Sequence, residues 1–487
     1  MARVARLPLL ARCLAAVGAC VLLWALATPL GGAPDEPAHV IEATALVRGT
    51  FFPPQEATPY GAESRVRVPA WAAATGAIPG CYANKLDATA DCIPRIGAGT
   101  ERVTTSTQFG RYPPAYYAVV GTPSLLLSGT DGYWAMRLTS ALLCAVLLAI
   151  GSEVLLRWHP RPRAALVGAA AATTPFVFFL AGAIGPSGVE AAAAFATAAG
   201  LVTLADRTHD APPGLLWRIA ATSSALALCR PISLLFLAVL VASALILGGW
   251  RRIWSLVAGG ARRPVLLPSI AAVLSVAWLL AAGTPSLIGP RAEHPSALSS
   301  ELRTSAGRTG FQLRNLIGVF GWGDTFAPLP TVALWTMGFG ALAMVGIVTA
   351  RRREVAAWAL PVVVLLVMPL VLEAPRINEL GTYWSARYVL PLAVAVPLIV
   401  ATRPGVADVL ERSWARVSVL TATAWATGQV LAFLTPWRRY AVGFDGPLVP
   451  LHPHWMPPGG YVTVVGFVAC ATLTAAAGAR ARPTVSA

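Results

Sequence analysis

The sequence predicts an all-α, polytopic integral membrane protein of about twelve transmembrane helices. Three observations predict it. Apolar runs of roughly 20 residues, the length a helix needs to cross the hydrocarbon core, recur along the whole chain. The 487 residues are 56% hydrophobic and only 12% charged, with a mean hydropathy of +0.64, whereas a soluble chain carries about a quarter charged residues. The arginines sit in short clusters between apolar runs: Arg157, Arg161 and Arg163; Arg251 and Arg252; Arg262 and Arg263; Arg351 to Arg353; Arg480 and Arg482. Positive charge resists translocation, so such loops mark the cytoplasmic side. No basic stripe with interleaved aromatics accompanies the net charge of +15, which argues against a nucleic-acid surface.

The spans follow in order. Leu7 to Gly32 opens the chain with Arg3, Arg6 and Arg12 on its inner side. It is too long for a signal-peptide core and no small-residue cleavage site follows, so it reads as an uncleaved first span. The segment Tyr112 to Gly129 is short and interrupted by Pro123; it reads as a helix in the outer interface. Counting it as a span would invert everything downstream. Then come Trp134–Leu156, Ala164–Ala183, Gly188–Ala205, Gly214–Cys229 and Ile232–Gly249. Pro264–Gly283, Thr331–Ala350, Ala356–Glu373, Ala386–Thr402, Val417–Leu434 and Tyr461–Ala479 complete the set.

This pattern places both termini in the cytoplasm and three long polar segments outside: Ala33 to Tyr133, Thr284 to Pro330 and Thr435 to Gly460. The first membrane module is expected over 1–283, including the large loop 33–133, and a C-terminal membrane region over 284–487 with loops 284–330 and 435–460. Cytoplasmic loops carry little beyond arginine, so any chemistry belongs to the outer face. Scarce lysine against abundant arginine and alanine fits a bacterial plasma membrane. Cys13, Cys20, Cys144 and Cys470 lie in apolar runs and read as small core residues. Cys81 and Cys92 share the first outer loop and are candidates for a disulfide.

The loop begins Gly31-Gly-Ala-Pro-Asp35-Glu36-Pro-Ala-His39. A helix starting here has proline in its first turn and Asp35 as its natural N-cap. Asp35 and His39 are four apart and His39 and Glu42 three apart, so all three fall on one helical face at the membrane boundary. Outside the cytoplasm there are no nucleotide sugars, and glycosyl transfer draws on polyprenyl-phosphate sugars held in the bilayer. An acidic side chain then takes the proton of an acceptor hydroxyl, and partial desolvation tunes it as a base. The phosphate left behind needs cationic partners. Arg230, in ALALCRPISLLF, stands at the outer end of two spans, and a charge so near hydrocarbon marks a functional site or a snorkelling side chain. Arg387 has the same reading.

A first span, an acidic pair in a large outer loop, Pro113-Pro114-x-Tyr116-Tyr117 and Arg137-Leu138-x-Ser140 together resemble the GT-C superfamily of multi-spanning glycosyltransferases. More closely, PDEPAH, FGWGDTFAPLP (Phe320 to Pro330), ARYVLP (Ala386 to Pro391) and HWMPP (His454 to Pro458) resemble a bacterial family of predicted membrane proteins with no assigned function. The resemblance implies Asp35 as general base, Glu36 as the next choice and His39 as a supporting group. It implies Arg230, Arg387 and Arg137 for the phosphate. Asp324 is a candidate second carboxylate or a helix cap. Tyr116 and Tyr117 read as interface-belt residues or sugar-stacking rings. Where many GT-C proteins carry an acid in the second outer loop, this chain has Gly185-Pro186-Ser187, with Glu190 the nearest carboxylate; that departure argues against a divalent-metal requirement, and no cofactor is predicted.

The expected activity is therefore inverting transfer from a polyprenyl-phosphate sugar to a glycan, glycolipid or protein acceptor of the cell envelope. The alternatives are a transporter or lipid-linked-sugar flippase and a non-catalytic envelope-assembly protein. Transporters concentrate polar groups near the midplane; here they gather in loops on one side, which favours an enzyme.

Overall fold

The structure is a computed structural model that describes residues 7–58, 61–207, 211–258, 262–283, 295–447 and 449–480. The segment 284–294 of the second expected outer loop, with Arg3, Arg6 and Arg482 of the arginine clusters, lies outside the described residues.

Each expected span contains a helix, because an apolar run satisfies its backbone groups internally only by coiling. Among the described residues, eight helices are long and apolar enough to cross a bilayer: Leu9–Ala27, Gly129–Trp158, Pro186–Asp206, Arg263–Ala282, Leu329–Thr349, Arg352–Leu380, Trp414–Val442 and Tyr461–Ala479. The count rises to 10 if each of two bent pairs is one span. Helices Pro213–Ala227 and Ser233–Gly248 have 15 and 16 residues and fall short of a full crossing, so the expected twelve is not reached on length and composition. The first bent pair, Pro162–Ala172 and Pro175–Ala181, turns by 70°. Pro175 supplies no N–H and its ring pushes Thr174 into an extended conformation (ψ 160°), which ends the first half. The second pair, Leu390–Ala401 and Pro404–Arg412, turns by 69° at another proline.

Small residues set the packing. Helix Pro186–Asp206 is alanine-rich and buried along nearly its whole length. Small side chains let backbones approach where lipid offers no hydrophobic drive. A Cβ on Gly188 would fall onto the carbonyl oxygen of Leu180, and one on Gly151 would lie 2.7 Å from the Phe195 ring. Trp24 of the opening helix is an aromatic hub. Its ring meets Phe179, Phe320, Phe433 and Phe467 at centroid distances of 5.9, 5.3, 5.2 and 5.9 Å, so the last two helices pack back onto the first.

The large first loop is not purely helical, which corrects the all-α expectation. Strands β1 (Gln55–Thr58), β2 (Gly61–Pro69) and β3 (Arg102–Thr107) form an antiparallel sheet, with Gln55 opposite Ser64 and Val66 opposite Thr105. The alternation in SRVRVP and RVTTST is the signal that composition obscured. Val66 and Val68 point inward against helix Glu36–Leu46. Cys81 and Cys92 are joined by a disulfide. The segment 112–129 forms helix Pro114–Gly121 and a 3-10 turn Thr122–Leu125. At 1.5 Å per helical residue, a dozen residues reach about 18 Å, too short for a core of about 30 Å.

The alternation of helices gathers the polar loops at one end of the bundle and the described arginine clusters at the other. At the arginine end Glu153 pairs with Arg218 at 2.7 Å and Arg157 at 3.2 Å, and Asp206 pairs with Arg403 at 2.9 Å. The end with the polar loops carries the candidate site.

Candidate functional site at the polar-loop end

Asp35 opens helix Glu36–Leu46 from a left-handed backbone, φ 63° and ψ 3°. Among described residues other than glycine, Asn84 alone shares a positive φ, and such conformations persist where surrounding contacts impose them. The expected capping role is corrected: the carboxylate makes no side-chain cap bond. It forms an ion pair with the Arg387 guanidinium, which also donates to the Pro34 carbonyl at 3.2 Å. Burial raises the Asp35 pKa, but the charges of Arg387 and its neighbours outweigh it and hold the carboxyl below the usual range.

One turn later, His39 stacks on Phe109 with centroids 3.9 Å apart, and its Nδ1 is 2.9 Å from the Tyr117 hydroxyl. Burial pushes the imidazole down to about 3, so the ring is neutral. Glu42 completes that helical face. It is buried, its Oε2 has no hydrogen-bond partner among the described residues, and burial pushes its carboxyl up to about 8.

Arg387 and Arg230 converge on one aromatic ring. The guanidinium of Arg387 lies 5.2 Å and that of Arg230 5.9 Å from the Tyr388 centroid. Arg230 donates to Ser187 Oγ at 2.7 Å and pairs with Glu190 at 3.3 Å; Ser233 Oγ donates to the other Glu190 oxygen at 2.5 Å. Both arginines are over nine-tenths buried, and the Nε–H of each lacks an acceptor among the described residues. Buried donors are normally satisfied, so each of these two cations keeps a donor to spare for a further acceptor. Tyr112 lies in the same field, its phenol raised by burial and tempered by Arg230 and Arg387.

The other candidates do different work. Glu36 and Arg137 are fully buried and pair with each other: Arg137 Nε donates to Glu36 Oε1 at 2.8 Å and Nη2 to Oε2 at 2.5 Å. The same guanidinium donates to the carbonyls of Ala25, Thr28 and Pro29, where the opening helix ends. Glu36 also accepts from the Ile184 N–H at 3.0 Å. Every face of this pair is used, so it clamps the helix exit and leaves no donor for phosphate and no free base.

Tyr116 is buried rather than in an interface belt; it lies 3.0 Å from Ser140 Oγ and accepts from the Gly185 N–H at 2.6 Å. Tyr117 is buried against His39. Asp324 sits in the turn between two short paired strands, Val319–Phe320 and Thr325–Phe326. It accepts from Arg439 and from the Asn84 N–H, both at 2.9 Å. It therefore neither caps the following helix Leu329–Thr349, whose N-cap is Pro328, nor joins the Asp35 cluster. Glu190, Ser187, Ser233, Tyr388 and Tyr112 entered the site unexpected. Glu190 had a signal, a carboxylate inside the apolar run PSGVEAAAAF; Tyr388 stood beside Arg387 in ARYVLP.

The sequence profile of a family described as "Predicted membrane protein (DUF2142)" matches residues 19–396. No curated protein matches the chain. Two solved structures of ArnT from Cupriavidus metallidurans are similar. The apo form has a TM-score of 0.43 at 13% identity, covering 94% of this chain and 75% of that one. The form bound to undecaprenyl phosphate has a TM-score of 0.46 at 14% identity, covering 96% and 76%.

Proposed function

The chain belongs to the DUF2142 family of predicted membrane proteins, and from that premise we propose that it is a membrane glycosyltransferase moving a sugar from a polyprenyl-phosphate donor to an extracytoplasmic acceptor. One observation carries the proposal: a carboxylate in a left-handed conformation pairs with buried Arg387, which shares the Tyr388 ring with buried Arg230, and each guanidinium keeps an unused Nε–H, at the polar end of an apolar bundle. Asp35 is the general base. It takes the acceptor proton as the acceptor oxygen attacks the anomeric carbon, and the sugar–phosphate bond breaks with inversion. Arg387 and Arg230 hold the phosphate and stabilise the charge that develops as it leaves.

An apolar cavity in the bundle supports a lipid-borne donor. An apolar cavity of about 690 Å³ is lined by Leu313, Leu316, Ile317, Phe339, Leu365 and Leu390, and Leu390 follows Arg387 by three residues. A phosphate at Arg387 and a tail in this cavity suit one lipid. Charged pairs at the ends of the bundle and an apolar middle favour an enzyme over a pump.

The test is transfer by the purified full-length protein in nanodiscs, using lipid extracts that contain polyprenyl-phosphate sugars and following the lipid-linked pool by mass spectrometry. Asp35→Asn is expected to abolish consumption of the donor at a temperature where the variant stays folded, since asparagine tolerates the same backbone while Arg387 loses its counter-charge. Undiminished transfer by that variant would refute the assignment.

A further inference from the structure

Resting on the reading above, we propose that the donor phosphate exchanges partners with Asp35: the anion takes the Arg387 guanidinium, and Asp35 is released to act as a base only once donor is bound. The charges in the site balance before any substrate arrives. Asp35 and Glu190 carry two negative charges, and Arg387 and Arg230 two positive ones. A base held in an ion pair is a weak base, because the cation stabilises its ionised form. The paired site is a resting state, and the incoming phosphate is the group able to change it.

The two carboxylates are not equally free to leave. Glu190 is wholly buried and accepts from Arg230 and from Ser233. Asp35 keeps 23% of its side chain exposed, and among the described residues its carboxylate has no hydrogen-bond partner other than Arg387. Its backbone contributes as well: a non-glycine residue in the left-handed region is held there by its contacts, and loss of the ion pair lets Asp35 swing toward solvent and the acceptor. The orphaned Nε–H groups of Arg387 and Arg230 then gain phosphate oxygens as acceptors.

The reaction balances through the same exchange. The acceptor oxygen forms its bond to the anomeric carbon while the bond from that carbon to the phosphate oxygen breaks, its electron pair going to phosphate. The acceptor proton goes to Asp35. The lipid phosphate thereby gains one negative charge and Asp35 loses one, so the net charge of the site is constant through the step. When Asp35 passes its proton to water, its charge returns beside Arg387 and competes with the product, which favours release. Donor binds before acceptor.

The exchange makes a prediction opposite in sign to that of an ordinary binding residue. The probe is citronellyl phosphate, a short soluble prenyl phosphate, titrated calorimetrically into the full-length protein in nanodiscs. Asp35→Asn removes the competitor for Arg387 and is expected to bind the probe about tenfold tighter than wild type, a gain equivalent to 1.4 kcal/mol. Arg387→Gln is expected to bind at least tenfold weaker. Asp35→Gly, which also removes the charge and adopts the same left-handed backbone without strain, is expected to follow Asp35→Asn and covers a folding defect in either variant. Unchanged or weaker binding by both Asp35 variants, or no binding of the probe to any form, overturns the exchange. Loss of transfer in Asp35→Asn without tighter binding would sink the exchange and leave the base assignment standing; persistent transfer would sink both.

Discussion

Replacing Glu36 by glutamine separates two roles that its neighbour in sequence makes easy to confuse. In the structure the Glu36 carboxylate accepts three N–H donors, two from Arg137 at 2.8 and 2.5 Å and one from Ile184 at 3.0 Å. Glutamine keeps one carbonyl oxygen and turns an amide NH2 toward the guanidinium, so at least one charge-assisted bond becomes a donor–donor contact. Arg137 remains charged and fully buried, partly compensated by the carbonyls of Ala25, Thr28 and Pro29. Breaking one side of a buried pair costs about 3–5 kcal/mol, and those carbonyls place the expected loss near the lower limit, about 3 kcal/mol. The assay is equilibrium unfolding in mixed detergent micelles, paired with donor turnover at a temperature where the variant stays folded. Glu36→Gln should unfold earlier yet turn over donor once folded, and Glu36→Leu with Arg137→Met should recover much of the lost stability. Unchanged stability with abolished turnover would refute the structural assignment and return Glu36 to the chemistry.

Glu42→Gln should flatten the pH dependence of stability. Its carboxyl stands near 8 in the fold against about 4.3 in an unfolded chain, so the native state binds more protons between those values and stability falls as pH rises through them. Thermal scans from pH 5 to 9 should show wild type losing stability upward and the variant losing less; parallel profiles would refute it. Gly188→Ala should destabilise by about 1–3 kcal/mol through overpacking, because the new Cβ meets the Leu180 carbonyl oxygen. Elsewhere in a helix interior the same change stabilises by roughly 1 kcal/mol, so a raised Tm would show that the helices do not meet as described.

The sequence by itself determined the helical segments, their alternation and the concentration of polar chemistry at one end. Those follow from local rules: an apolar run must coil, a proline breaks it, and a cluster of arginines does not cross hydrocarbon. It also singled out Asp35, Arg230 and Arg387, since charge at the edge of hydrocarbon is costly wherever the chain goes. Only the tertiary structure decided which charge meets which. Asp35 and Glu36 are adjacent, yet one reaches Arg387, hundreds of residues away, and the other Arg137. A helix start turned left-handed at residue 35 sends the two carboxylates to different partners, and no periodicity encodes that. Glu190 and Tyr388 joined the site for the same reason. Partnership among buried charges is set by where distant helices end, and helix ends meet only when the bundle has packed.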